Sequence, residues 1–333
     1  MKHIDSVYGD DVLAAAILSE EPYISIVDPI AWDLCKDRLP YPPALVIEPQ
    51  SLERDALDAL ARALPLQTRL VGVGGGLVID ATKYLALRES EYLTPVLVPS
   101  ISSSSAPFSD AITVRKDGVP VGMVRPGMPK RIIVDYKLIS AASPRLNRAG
   151  YADLLAQSTA LADWRLGAEL GVLEMDQHIF DRMQALMEKA FDIAADVATG
   201  SQDGILTLMR LFEKSSALAA EKPSLPAGAG SEHLLAWHLE GTTGRHFIHG
   251  EIVALGIVVT DYLQSGNRSR LRDALDLAHV VYRLSDLEIT WEQLADALLS
   301  VSDYNQSVRH YCSIFDRTTW TPAMLEEVRR RVS

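Results

Sequence analysis

Over the first 140 residues, short β-rich apolar runs alternate with amphipathic helical stretches, the pattern of an open α/β sheet. Tyr23 to Val27, Ala44 to Ile47, Arg69 to Val73, Pro95 to Val98 and Arg131 to Val134 read as strands, with helices over Leu52 to Leu64 and Leu77 to Leu87. Pro144 and Gly150 punctuate a change of texture. Beyond them the apolar spacing is helical almost throughout: Tyr151 to Gly167, Met175 to Ala198, Gly204 to Ala220, Glu232 to Leu239, Glu251 to Leu263, Ser269 to Leu284, Trp291 to Ser300 and Pro322 to Arg331. The sequence shows no internal repeat. The spacing predicts an α/β domain over residues 1–145 and an all-helical domain over 146–333, with a cleft between them as the natural ligand site.

Composition narrows the function classes. With 333 residues, 48% of them hydrophobic, the chain can bury two cores. A net charge of −12 argues against nucleic acid as a partner, because neutralising phosphates needs a basic surface. Cys35 and Cys312 stand far apart, without the spacing of a thiolate metal cluster or a disulfide framework. The N-terminal stretch has no apolar signal core, and the longest apolar run, Ile252 to Val259, is far short of the roughly 20 residues of a spanning helix. The expectation is a cytoplasmic enzyme with a small-molecule substrate and no membrane partner.

Candidate chemistry lies in three places. In R-L-V-G-V-G-G-G, Gly74, Gly75 and Gly76 would let backbone amides approach a pyrophosphate at the start of a helix. Leu77 stands where G-x-G-x-x-G needs its last glycine, so a ligand-free turn is the alternative. Asp80 and Lys83 share a helix face and either meet the nucleotide or pair with each other. The serine run in P-S-I-S-S-S-S-A-P-F-S offers hydroxyls to phosphate or ribose, or is simply a polar loop. In the helical half, Asp153, His233 and His249 supply the three N and O ligands a catalytic metal takes while one position stays open. Glu232 and Glu251 are candidates to hold the imidazoles from behind, and His238 and His246 are rival ligands.

The order V-G-G-G-L-V-I-D-A-T-K, the serine run, P-K-R-I-I-V-D, S-P-R-L-N-R-A-G-Y-A-D-L-L-A, G-S-E-H and H-G-E-I-V-A-L-G resembles the superfamily of glycerol dehydrogenase, iron-containing alcohol dehydrogenase and dehydroquinate synthase. A-G-Y-A-D-L-L-A, A-D-W-R-L, G-S-E-H and V-R-H-Y-C-S-I-F most resemble sn-glycerol-1-phosphate dehydrogenase. The resemblance implies an N-terminal Rossmann-like α/β domain and an all-α C-terminal domain of the dehydroquinate synthase-like type. It implies a divalent metal on Asp153, His233 and His249, and NAD or NADP on Gly74, Gly75, Gly76 and Asp80, lined by Ser100, Ser103 and Ser109. Asp28 would meet the adenosine ribose; Glu48 competes for that role and would favour NAD. A homo-oligomer is also implied.

The departures bear on substrate and metal. Ser105 replaces the aspartate that faces the polyol in glycerol dehydrogenases, and Gln157 stands where iron enzymes carry a further histidine, which tilts the metal toward zinc. Gln157 and Trp237 also replace a lysine and a histidine of glycerol-1-phosphate dehydrogenases, His238 being turned about 100° around the helix. Ser105, His238 and Arg245, together with Arg125, are the substrate-facing candidates, with exposed arginines as the plainer alternative for the last two. The expected activity is metal-dependent NAD(P) oxidoreduction of a small, possibly phosphorylated, alcohol or polyol and its carbonyl form, with a bound water, His238 or His246 relaying the proton. A sugar-phosphate cyclase that uses NAD transiently is the alternative, which Ala156 and Trp237 oppose.

Overall fold

Alternation with a period of two builds the sheet of the first half. A computed structural model describes residues 4–65, 68–87, 95–116, 119–124, 129, 131–222, 228–266 and 270–333. The strands are β1 (Asp5–Gly9), β2 (Tyr23–Val27), β3 (Leu45–Ile47), β4 (Arg69–Gly74), β5 (Val96–Pro99), β6 (Ile112–Lys116), β7 (Val119–Val124) and β8 (Arg131–Asp135). Six of them form one parallel sheet in the order β1-β8-β5-β4-β2-β3, while β6 and β7 pair antiparallel. Tyr23 and Val27 of β2, with Val71 and Val73 of β4, enter one apolar cluster; Ile24, Ile26 and Leu70 enter another on the opposite face. Helices α1 (Pro29–Cys35), α2 (Arg54–Ala63), α3 (Gly76–Ala86) and α4 (Tyr136–Ser140) complete the α/β pattern.

The helical half comprises α5 (Pro144–Glu169), α6 (Gln177–Asp192), α7 (Ala194–Thr199), α8 (Gln202–Ala219), α9 (Ser231–Thr243), α10 (His249–Ser265), α11 (Arg270–Leu277), α12 (Leu284–Leu287), α13 (Trp291–Tyr304) and α14 (Pro322–Val332). The apolar run Ile252 to Val259 is the centre of α10, buried from Gly250 to Asp261, with α9 packed along it. No helix among the described residues is long and apolar enough to cross a membrane. Contacts group the chain into two compact units, Met1–Asn147 with Ile205–Ala217 and Arg148–Gly204 with Leu218–Ser333. Most of α8 therefore counts with the first unit, where Glu213 accepts hydrogen bonds from Ser6 Oγ at 2.9 Å and Tyr8 Oη at 2.6 Å.

Several elements differ from the periodicity. Pro144 opens α5, ahead of the expected start at Tyr151, because its missing N–H and fixed φ suit a first helical turn. The stretch Met175 to Ala198 divides at Ile193 into α6 and α7. The stretch to Leu284 stops at Leu277, and His279 takes φ +55°. β1, β6 and β7 have no counterpart among the expected strands.

Candidate functional site

The order of the parallel strands reverses between β2 and β4, so the carboxyl ends of these strands open a crevice of the kind that takes ligands in α/β sheets. The glycine run leaves β4 directly into α3, with Gly75 as a cap residue that has no side chain to occupy the first-turn N–H groups. The glycines there differ in role. A Cβ on Gly74 would lie 2.7 Å from the Val78 Cβ, so that glycine is needed for the turn to pack, whereas one on Gly75 would meet only the tip of the Ile101 side chain at 2.9 Å. A Cβ on Gly76 would meet nothing nearer than Ser104 Oγ at 3.7 Å and Ala106 at 4.0 Å. Gly76 therefore leaves an open cradle, with the Ser104 hydroxyl across from it. Ser104 was not among the serines singled out from the sequence, since nothing in a run of four identical residues says which one faces the glycines.

Asp80 and Lys83 pair with each other at 2.8 Å, one of the two alternatives the sequence left open. Lys83 is fully buried and also donates to the carbonyls of Ala106 at 3.0 Å and Ala111 at 2.7 Å, fastening the serine loop from beneath. Ser100 donates its N–H to the Gly74 carbonyl at 3.0 Å, Ser103 is half-buried, the Ser105 carbonyl accepts from Phe108 and Ser109, and Ser109 Oγ accepts from the N–H of Ala111. Ser102 is buried against Asn147, its N–H donating to Oδ1 at 3.0 Å. Asp28 caps α1, accepting the Ala31 N–H at 3.0 Å, and Glu48 is exposed beyond β3.

In the second unit, Asp153 projects from the middle of α5, His233 from the first turn of α9 and His249 from the first residue of α10. Asp153 Oδ1 lies 3.4 Å from Nε2 of each histidine. The three ligand atoms all fall within 4.8 Å of one another, the one such group among the described residues. Asp153 and His233 are buried, whereas the His249 side chain is 44% exposed and leaves a side from which a further ligand can approach. This donor set of one carboxylate and two imidazoles, converging on one point, fits a divalent metal with an open coordination position.

Close helix contacts bring these three side chains together. A Cβ on Gly250 would fall on the Ala149 carbonyl of α5, and one on Gly256 would fall on the Glu232 carbonyl of α9. His233 Nδ1 meets Glu232 Oε1 at 2.8 Å, and Glu232 also accepts the Thr159 hydroxyl at 2.6 Å and the Gly230 N–H at 2.7 Å. With Nδ1 as the donor, Nε2 turns its lone pair toward the ligand point. Glu232 thus holds the His233 imidazole, and Glu251 is buried in the first turn of α10.

Burial alone would raise the Asp153 carboxyl, but the imidazoles of His233 and His249 outweigh it and hold the group well below the usual carboxylate range. Burial opposes the charged form of His233, but Asp153 and Glu232 prevail and push it up to about 9. In the metal-free protein His233 consequently keeps a proton below about pH 9, which an incoming metal must displace. Metal affinity is expected to rise about tenfold per pH unit between about pH 6.5 and 8.5 and to level off above 9. Metal titrations across that range check this, and an affinity independent of pH would remove His233 from the ligand set.

Asp163, noticed in the sequence only as part of A-D-W-R-L, binds three elements together. Its carboxylate accepts N–H groups from Ser231 at 2.7 Å and Ile314 at 3.2 Å, and the Gln264 amide at 3.0 Å. Burial first, and then the neighbouring Glu232 charge, push it up to about 7. A carboxylate within an otherwise apolar stretch of α5 was the available signal.

The substrate-facing candidates of this unit are placed differently. His238 shares a hydrogen bond with Ser300 Oγ at 2.8 Å and stacks on Tyr304, outside the metal group, and its burial lowers its basicity. His246 is exposed and also outside that group. Arg245 is spent on the Leu287 and Glu288 carbonyls and the Glu288 carboxylate, and stacks on Phe247. Arg125 lies outside the described residues.

No family model matches the chain. The chain is similar to glycerol-1-phosphate dehydrogenase (NAD(P)+) of Saccharolobus islandicus, 30% identical over 256 residues that cover 76% of this chain and 71% of that protein. It is also similar to glycerol-1-phosphate dehydrogenase (NAD(P)+) of Natronomonas pharaonis, 27% identical over 322 residues covering 89% and 88%. In fold it resembles the crystal structure of a probable glycerol dehydrogenase from Sinorhizobium meliloti 1021, with a TM-score of 0.73 at 19% identity over 99% of this chain and 96% of that one.

Proposed function

The chain belongs to the glycerol-1-phosphate dehydrogenase family, and from that membership and the geometry of the site we propose that it is a metal-dependent NAD(P) oxidoreductase acting on a small phosphorylated polyol and its ketone. The observation that carries this reading is the convergence of Asp153, His233 and His249 from three helices on one half-open point. When bound there, a divalent metal supplies Lewis-acid polarisation of the substrate oxygen, and the dinucleotide supplies or accepts the hydride. The protein's own groups set the stage. Asp153 provides the negative charge among the three ligands, Glu232 fixes the orientation of His233, and the exposed edge of His249 marks the side on which substrate approaches. The open backbone at Gly76 and the uncapped start of α3 suit a pyrophosphate. Zinc is the favoured ion, because a set of two imidazoles and one carboxylate with an open position suits it. We place the protein in the cytoplasm as a homo-oligomer.

The test is oxidation of NADH and NADPH by metal-loaded protein with dihydroxyacetone phosphate, dihydroxyacetone and short phosphonate or sugar aldehydes. Stoichiometric consumption of the reduced dinucleotide with the phosphorylated ketone is expected. Product formed without net consumption would mean that the dinucleotide is used only transiently, as in a cyclase, and would overturn the dehydrogenase reading.

A further inference from the structure

We propose that a cavity of the second unit, away from the metal point, binds a small organic zwitterion: an ammonium and a carboxylate joined by a short aliphatic chain. The cavity measures about 260 Å³, just below the roughly 300–1,000 Å³ of sites for drug-sized molecules, so its occupant is smaller than a nucleotide. Helical stripes build it. On α5, Ser158, Leu161, Ala162 and Arg165 stand at i, i+3, i+4 and i+7 and share one face. That face is turned about 130° around the helix from Asp153 and begins about 8 Å along it. Phe180 and Met187 of α6 supply a second wall, and Asp261 with Gln264 of α10 a third. Asp261 stands twelve residues beyond His249, about 18 Å along α10, so the cavity and the metal point are separate places.

The polar groups of the lining are what ask for a ligand. A stripe that only packed helices together would be apolar throughout, whereas here the pair Leu161 and Ala162 is bracketed by a hydroxyl and a guanidinium. The Ser158 hydroxyl oxygen is buried and has no hydrogen-bond partner among the described residues, a costly state that a ligand would relieve. Arg165 lies over the Phe180 ring at 5.1 Å and has no ion pair or hydrogen bond among the described residues. An aromatic face steadies such a cation without neutralising it. Gln264 is fixed by its amide, which donates to the Thr159 carbonyl and to Asp163 at 3.0 Å each, and this bond sets α10 beside the turn of α5 that carries Ser158.

Charge selects the occupant. The lining carries two guanidinium groups and two carboxylates. Arg270 pairs with Glu188 at 2.7 Å and stacks on Phe191, so Arg165 and the buried Asp261 decide what enters. A simple carboxylic acid would bring like charge to Asp261, and a simple amine would bring it to Arg165; a molecule with both groups complements both. Its carboxylate takes the two-pronged fork of Arg165. Its ammonium donates to Ser158 and to Asp261, whose carboxylate has about four acceptor sites and can add this bond to its other contact. The aliphatic chain then lies on Leu161, Phe180 and Met187, all buried. Ser158 and Arg165 are two turns apart, about 10 Å along α5, which sets the upper limit for the separation of the two charges.

The experiment is equilibrium dialysis of the full chain with 6-aminohexanoate, and with hexanoate and hexylammonium as its single-charge counterparts. Wild type is expected to bind 6-aminohexanoate at least about tenfold more tightly than either counterpart, as a charge-assisted bond at each end implies. Arg165→Gln, at an exposed position that leaves the core untouched, should erase the preference over hexylammonium. Ser158→Ala should weaken binding about threefold or more while the thermal midpoint of the ligand-free protein stays level or rises, because an unpartnered hydroxyl is removed. A merely structural Ser158 would lower that midpoint. Absence of saturable 6-aminohexanoate binding, equally tight binding of hexanoate, or binding indifferent to Arg165→Gln would overturn the proposal.

Discussion

Asp153→Asn protein is expected to lose metal and with it about a thousandfold or more of turnover. Asp153 Oδ1 is the one atom that lies 3.4 Å from both histidines, and it is buried on a helix whose packing an amide of the same shape preserves. What the substitution removes is charge. A metal bound there gives several kcal/mol of charge stabilisation to the reacting oxygen, and each 1.36 kcal/mol is a factor of ten in rate, which sets the scale at about three decades. Elemental analysis of protein purified with added zinc, together with kcat/KM, checks both halves of the expectation. Retention of metal with full activity would take Asp153 out of the ligand set. His249→Ala should change activity in the same direction with the fold intact, since its side chain is the exposed one.

Gly250→Ala is expected to lower stability by about 3 kcal/mol and to weaken metal binding along with it, although no ligand is altered. The new methyl group would occupy the place of the Ala149 carbonyl, which is backbone and cannot rotate away. Either α10 moves off α5 or α5 bends, and overpacking of this kind costs roughly 1–3 kcal/mol in well-packed interiors, occasionally more. Because His249 is the adjacent residue, any shift of α10 carries it away from Asp153. Urea denaturation of the metal-free protein isolates the packing cost, and metal titration reads the displacement. An unchanged midpoint with unchanged metal affinity would mean that the close helix contact does not position the site.

The same contact shows what was legible in the sequence. Apolar period and β-branched runs placed β2, β4, β5, β8 and the helices α2, α3, α8, α10 and α14 within a residue or two, because those elements are held by burial of one face or both, whereas α5, α6, α9 and α13 missed at one end by four residues or more. β1 was missed because D-S-V-Y-G offers only partial burial. Asp153, His233 and His249, which the structure brings within 4.8 Å of one another, could be picked out because metal chemistry restricts the residue types, and the resemblance singled out two among eight histidines. Partners set by three-dimensional proximity were less legible. Nothing in the order of residues placed Ser104 opposite Gly76, brought Asp163 to Ser231 and Ile314, or laid Arg309 on Trp237 across some seventy residues. Arg245 looked suited to a phosphate until its guanidinium was found at the Glu288 carboxylate.

The buried Lys83 gives the serine loop a particular thermodynamic character. With its ammonium shared among Asp80 and the carbonyls of Ala106 and Ala111, the loop is held in place before any ligand arrives. If the dinucleotide settles over Gly76 as we propose, it would find walls already in place and surrender little conformational entropy in ordering them. On that reading discrimination at the wall would come from preorganised shape, with the loop as a fixed extension of the sheet.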